Sequence, residues 1–217
     1  MSDFEQLVIR ETIISTCLDM LALDINQGTS GNVSTRIEKG FLITPSAMAY
    51  NAMLPDHIVE LDFHGNHQSS QRPSSEWRLH RDIYSHYSEA QAIIHTHSTF
   101  CTALACLHRS IPAFHYMVAV AGGVDIRCAE YATFGTQALA ENIIAALEDR
   151  RACLMANHGM ICYGRDLDHA LFLASEVETL AKQYWHACQL GTPTLLADEE
   201  MRQVIHTFET RYQPARA

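Results

Sequence analysis

The stretch Ala92-Ile93-Ile94-His95-Thr96-His97-Ser98 decides how this chain folds and what chemistry it can carry. A short β-branched run ends in two histidines one residue apart, followed by a serine able to cap a helix. In an extended strand residues i and i+2 project to the same face, so His95 and His97 point together. Two imidazoles on one face make half of a zinc site, because Zn²⁺ is held tetrahedrally by nitrogen, sulfur or carboxylate ligands. The other reading of the pair is two partly buried histidines bonded to neighbouring carbonyls. Farther out, Glu76 in Pro73-Ser74-Ser75-Glu76-Trp77 and His158 in Ala156-Asn157-His158-Gly159 could complete three imidazoles and one carboxylate.

The chain around this stretch alternates helix and strand signals. Ser2 and Glu5 have capping-box spacing, and apolar residues recur from Leu7 to Leu21, which predicts an amphipathic helix of roughly twenty residues. Val33–Ile37 and Phe41–Thr44 flank Glu38-Lys39-Gly40 as a hairpin, and Ile58–Phe63 reads as a third strand. Glu76–Tyr87 reads as a helix with Glu76 in its first turn and Ser74 or Ser75 at the cap. Beyond the His95 strand come a helix over Ser98–Leu107 and an irregular apolar segment, Ile111–Ala132. A helix then opens at Phe134-Gly135-Thr136, and a short strand, Ala152–Ala156, delivers His158. Two helices follow, Asp168–Leu190 and Ala197–Tyr212. Early strands joined by hairpins favour a three-layer α/β/α sandwich around a mixed or antiparallel sheet over a Rossmann order. Residues 1–217 carry no repeat or linker and are expected to form a single domain.

Composition narrows the partners. With 217 residues and 47% hydrophobic content, the chain is large enough for a sizeable core. A net charge of −10 and the lack of any basic run argue against a nucleic-acid binder, which needs clustered Lys and Arg. No apolar run approaches the ~20 residues of a membrane span, and the N-terminus lacks a basic signal region. The seven cysteines are odd in number and scattered, mostly among apolar residues, which points to reduced thiols in a cytoplasmic protein.

Three features carry chemistry. The first is the possible metal site, where one displaceable ligand beside three imidazoles marks a catalytic rather than structural zinc. The second is a set of small-residue loops, Gly28–Asn32, Thr44–Ala47 and Ser74-Ser75. Their hydroxyls and backbone N–H groups suit a phosphate held without cationic side chains. The third is Tyr116, which can hand a proton to a developing alkoxide or simply bond within the core. The remaining histidines, His80 among them, show no such grouping and read as surface or structural. A metal beside a phosphate pocket, with a carboxylate and a phenol, points to carbonyl chemistry on a phosphorylated small molecule.

The ordered blocks from Gly28-Thr29-Ser30-Gly31-Asn32 through Pro73-Ser74-Ser75-Glu76, His95-Thr96-His97 and His115-Tyr116 to Phe134-Gly135-Thr136 and His158-Gly159 resemble the class II aldolase and adducin-head family. The resemblance covers nearly the whole chain and is strongest to the ketose-1-phosphate aldolases of the L-fuculose 1-phosphate type. It implies a zinc enzyme, one ion per subunit, assembled as a C4 homotetramer with sites at subunit interfaces and acting on a small phosphorylated sugar. It implies that His95, His97 and His158 hold zinc with Glu76 as the resting fourth ligand, which then serves as general acid/base on the C1 proton of dihydroxyacetone phosphate. Thr29, Asn32, Ser46, Ala47, Ser74 and Ser75 occupy the family's phosphate-binding positions. Tyr116 corresponds to a proton donor reaching in from a neighbouring subunit, and Phe134 and Tyr212 to residues walling the aldehyde half.

Departures from the pattern fall at Ala47, where the family often has glycine, at Asn157, where the fucose-type branch carries a second histidine, and at Tyr212, displaced by one place. They bear on the aldehyde rather than the chemistry, and leave open 5-deoxyribulose 1-phosphate or 5-methylthioribulose 1-phosphate as the sugar. Relatives with other chemistry are the 4-epimerases, a dehydratase and sugar-acid phosphate decarboxylases. The adducin head, a non-catalytic assembly module, lacks a need for the three histidines and Glu76 retained here.

Overall fold

In the computed structural model, which describes residues 2–211, Ser2 and Glu5 form the predicted capping box at the head of α1 (Asp3–Ala22). The β-prone runs around Glu38-Lys39-Gly40 form the hairpin β1 (Asn32–Ile37) and β2 (Gly40–Ile43), extended by β3 (Val59–Asp62). Next come α2 (Trp77–His86), β4 (Ala92–Thr96), α3 (Thr99–Ala105) and β5 (Cys128–Ala129). The chain continues through α4 (Gln137–Ala146), β6 (Ala152–Met155), β7 (Gly159–Gly164), α5 (Leu167–Leu190) and α6 (Asp198–Arg211).

One seven-stranded sheet runs in the order β3-β2-β1-β4-β7-β6-β5, antiparallel except at the β5–β6 pair. Its central strands are buried on both faces, and their two-residue period sorts side chains into two cores. Ile94 of β4, Leu154 of β6, and Met160 and Cys162 of β7 pack with α1, α3, α5 and α6 residues such as Ile13, Leu104, Leu173 and Met201. Ile93, Cys153, Ile161 and Tyr163 pack on the opposite face with Leu79 and Ile83 of α2 and Leu139 and Ile143 of α4. That is the α/β/α sandwich with a mixed sheet expected from the sequence. Each fully buried side chain of this size contributes ~1.5–3 kcal/mol over its exposed state, so both cores hold the sheet between them.

Several local expectations are corrected. The segment Gly159–Gly164 is a strand, β7, in the middle of the sheet, where the sequence reading assigns no element. Ile111–Ala132, expected to be irregular, contains a 3₁₀ turn, Tyr116–Ala121, and the two-residue β5. Glu76 is the N-cap of α2, not a member of its first turn, and neither serine fills the cap. The cause is a tight turn: the Trp77 N–H donates to Ser74 O at 3.1 Å and the Glu76 N–H to Ser74 Oγ at 3.3 Å, so the helix starts later. Ser98 stands at the N-cap of α3 without a side-chain cap bond; the Glu178 carboxylate accepts the N–H groups of Phe100 and Cys101 at 2.8 Å instead. Tyr212 lies outside the described residues.

Candidate active site and metal centre

The sheet delivers the three histidines to one point. His95 is near the end of β4, and His97 follows it with the same orientation just past the strand. His158 sits in the tight β6–β7 connection, where its N–H donates to Met155 O at 3.0 Å. Gly159 lets β7 come close to β4: a Cβ there would stand 2.3 Å from Thr96 O and 3.2 Å from His97 Cδ2. As a result ligand nitrogens of His95, His97 and His158 lie within 4.8 Å of one another. The His95 Nδ1–H donates to Met160 O at 2.8 Å, which fixes the tautomer and leaves Nε2 directed inward. His95 Nε2 is 3.0 Å from His97 Nε2.

Glu76 closes the group from the start of α2, with Oε2 3.2 Å from His95 Nε2 and Oε1 3.3 Å from His158 Nε2. Burial works to raise its carboxyl, but the charge and hydrogen bond of His95, then His158 and the Asn32 amide, outweigh it and hold the group well below the usual carboxylate range. Burial likewise pushes His97 and His158 down to about 4, assisted by the charge on His95. For His95 burial opposes protonation, yet Glu76 and the Met160 carbonyl hold it above the ordinary value.

These residues fit a zinc-like cation on their own evidence. Glu76 Oε1 is buried and accepts no hydrogen bond among the described residues. His97 and His158 are neutral near pH 7, so their lone pairs are available, and a nitrogen-rich set with one carboxylate matches zinc's preference.

Beside this group opens a cleft of about 340 Å³. Thr29, Asn32, Ser46, Ala47, Ser74 and Ser75 all line it, as do Glu76, His97, His158 and Phe134. Ser46 N–H donates to Arg72 O at 2.9 Å and Ser74 N–H to Thr44 O at 3.0 Å, which locks two of the small-residue loops together. Ala47 adopts φ +56°, a left-handed conformation that glycine takes more easily. Gly135, at φ +71°, passes so near Ser75 that a Cβ would stand 2.8 Å from its carbonyl, and this holds Phe134 at the rim. Asn157 lines the cleft at φ +55°, with Oδ1 2.6 Å from His108 Nε2. Tyr116 does not line the cleft: it is 49% exposed and packs beside His115 and Phe208.

Three participants escape the sequence reading. Buried Asn26 ties the Gly28–Asn32 loop to the site: its Oδ1 accepts the His97 N–H at 3.4 Å, and its Nδ2 bonds Ser30 O and Tyr50 Oη. His80 is wholly buried and linked through Asn32 to Glu76. Tyr131 lines the cleft with Phe134. Only their positions in the folded chain reveal them, because each meets partners remote in sequence.

The profile of the Class II Aldolase and Adducin N-terminal domain family matches residues 11–185. The chain belongs to this family. It is 47% identical over 205 residues to the 5-methylthioribulose-1-phosphate/5-deoxyribulose-1-phosphate aldolase of Rhodospirillum rubrum, covering 94% of this chain and 93% of that protein. It is also 47% identical over 199 residues to the L-fuculose phosphate aldolase of Escherichia coli K12, covering 91% and 93%. A solved L-fuculose 1-phosphate aldolase superposes with a TM-score of 0.91 at 40% identity, covering 96% of this chain and 98% of that one. As a member of the family with such relatives, the chain is a class II aldolase, a carbon–carbon lyase acting on phosphosugars.

Proposed function

We propose that this chain is a zinc-dependent aldolase that reversibly cleaves a ketose 1-phosphate to dihydroxyacetone phosphate and a small aldehyde, lactaldehyde where the sugar is L-fuculose 1-phosphate. The observation that carries the reading is the convergence of three inward-facing imidazoles and Glu76 on the wall of a cleft lined by hydroxyl-bearing loops. His95, His97 and His158 would hold zinc, which would supply a Lewis acid for the negative charge developing on the ketose oxygen. Thr29, Ser46, Ser74 and Ser75, with the backbone N–H of Ala47 and the amide of Asn32, bind the phosphate and orient the sugar. Glu76 would help the three imidazoles hold the ion, and its carboxylate moves the proton at the carbon that becomes the hydroxymethyl group of dihydroxyacetone phosphate. Tyr116 exchanges the proton of the aldehyde oxygen. Its place outside the cleft of its own chain supports delivery from a neighbouring subunit of a C4 homotetramer. Phe134 walls the aldehyde.

A second substrate reading, 5-methylthioribulose or 5-deoxyribulose 1-phosphate, is favoured by the Rhodospirillum rubrum relative and by Asn157 at the cleft. We read residues 1–217 as one domain. Seven unpaired cysteines support a reducing, cytoplasmic setting, and no described helix is long and apolar enough to cross a membrane.

The test presents the zinc-loaded protein with L-fuculose, 5-deoxyribulose and 5-methylthioribulose 1-phosphates and follows dihydroxyacetone phosphate through a coupled dehydrogenase. Release from at least one is expected, and the ranking of kcat/KM identifies the aldehyde. Silence on all three with zinc bound would overturn the reading in favour of epimerisation, dehydration or decarboxylation.

A further inference from the structure

Behind Glu76 runs a buried chain of side chains whose spacing comes from two regular elements lying against each other. Along β1, Asn32 and Ser34 share one face, and the register sets Asn32 opposite His95 and Ser34 opposite Ile93. Along α2, Glu76, His80 and Tyr84 recur every fourth residue and so lie on one side of the helix. Two strand residues advance ~6.6 Å and four helical residues ~6 Å, so the two rows stay in step. They interdigitate. Tyr84 Oη lies 2.7 Å from Ser34 Oγ, Ser34 Oγ 2.6 Å from His80 Nδ1, His80 Nε2 2.5 Å from Asn32 Oδ1, and Asn32 Nδ2 3.0 Å from Glu76 Oε2.

The direction of every bond follows from the last one. An ionised carboxylate only accepts, so Asn32 must present its NH₂ to Glu76 and its carbonyl to His80. His80 Nε2 therefore donates. His80 is wholly buried, which disfavours the charged ring, so with Nε2 donating its Nδ1 accepts from the Ser34 hydroxyl. Ser34 Oγ in turn accepts from Tyr84. The donors all point toward Glu76.

We propose that His80 is a positioning residue: by donating to Asn32 Oδ1 it locks the Asn32 amide with its NH₂ toward Glu76 and thereby holds the Glu76 carboxylate in place at the metal site. Without that donor the Asn32 amide is free to rotate, and Glu76 loses its one amide contact. This rests on the reading of Glu76 as proton carrier only for its kinetic consequence; the orientation itself does not depend on which sugar is cleaved.

The decisive comparison is His80→Gln against His80→Asn. The longer amide reaches the position of Nε2 and can still donate to Asn32, while the shorter one reaches only toward Ser34. His80→Gln is expected to keep kcat within about threefold of the parent, and His80→Asn to lose about 10–100-fold in kcat with KM changed less than about twofold. The visible absorption of the cobalt(II)-loaded proteins gives a readout without substrate: the parental band is expected in His80→Gln and a shifted one in His80→Asn. Equal kcat and equal spectra in the two variants would overturn the proposal, as would a defect confined to KM, which would tie the chain to phosphate instead. If His80→Asn does not fold, Ser34→Ala serves in its place, since it frees the ring to turn while leaving Asn32 intact. If the parent cleaves no ketose 1-phosphate, the aldolase reading fails, and the cobalt spectra still decide the role of His80.

Discussion

A carboxylate that lies 3.2 Å from one imidazole nitrogen and 3.3 Å from another could share a cation with them. Glu76→Gln keeps the shape and the three imidazoles but removes the basic group. The expected outcome is metal content equal to the parent after dialysis and a fall in turnover of at least ~100-fold; near-normal turnover would remove Glu76 from proton transfer. Legibility at this scale follows from how local the cue is. His95 and His97 can be paired from sequence because the strand period alone puts them on one face. Glu76 and His158 carry no local mark, so from sequence they can be offered only as residues that could complete the set, a candidacy the resemblance of their flanking blocks to a family strengthens. His80 and Asn26 look like any histidine on a helix and any asparagine after one, because what distinguishes them is a partner on another element.

Among the elements, β7 is where the sequence reading falls short, and the reason is physical. A strand covered by helices on both faces shows no alternation of apolar and polar residues. Met160-Ile161-Cys162-Tyr163 is such a run, and the glycine at each end resembles a turn. The hairpin β1–β2 is legible because its turn residues announce it, and β5, at two residues, is set wholly by its parallel pairing with β6. The opening glycine of β7 also has a consequence that can be measured. A methyl at Gly159 would stand 2.3 Å from the Thr96 carbonyl, a backbone atom that cannot turn aside, so β4 and β7 must separate beside His97. Overpacking of this kind costs ~1–3 kcal/mol. Gly159→Ala is therefore expected to lower the melting temperature and, if the whole cost falls on the ligand set, to weaken zinc binding by ~5–140-fold in a competition titration with a chromophoric chelator, since 1.4 kcal/mol is a tenfold change. Parental affinity would mean that the two strands do not set the spacing of the ligands.

At the scale of the whole molecule, one chain presents a cleft with three convergent histidines, a carboxylate and hydroxyl-bearing loops, but its candidate phenol faces elsewhere. Tyr131 and Phe134 stand at the rim, 58% and 64% exposed, and Tyr116 is half exposed on a separate surface. Large aromatic side chains left open beside a site are suited to burial against another subunit. In a cyclic tetramer each contact is heterologous, so the surface bearing Tyr116 on one chain can meet the cleft of the next, and the same contact repeats around the ring. Each chain would then supply half of two sites. Such an arrangement can be tested with two inactive parents. Tyr116→Phe retains Glu76 and lacks the phenol, and Glu76→Gln retains the phenol and lacks the base; each alone is expected to lose ~100-fold or more in turnover. In tetramers assembled at random from equal amounts of both, roughly a quarter of the sites combine an intact Glu76 with an intact Tyr116 from the adjacent chain. Co-expression of the two variants is expected to restore activity toward that fraction, while mixing the separately assembled proteins restores none until subunits exchange. Co-expressed material no more active than the parents would place Tyr116 in the site of its own chain or outside the chemistry altogether.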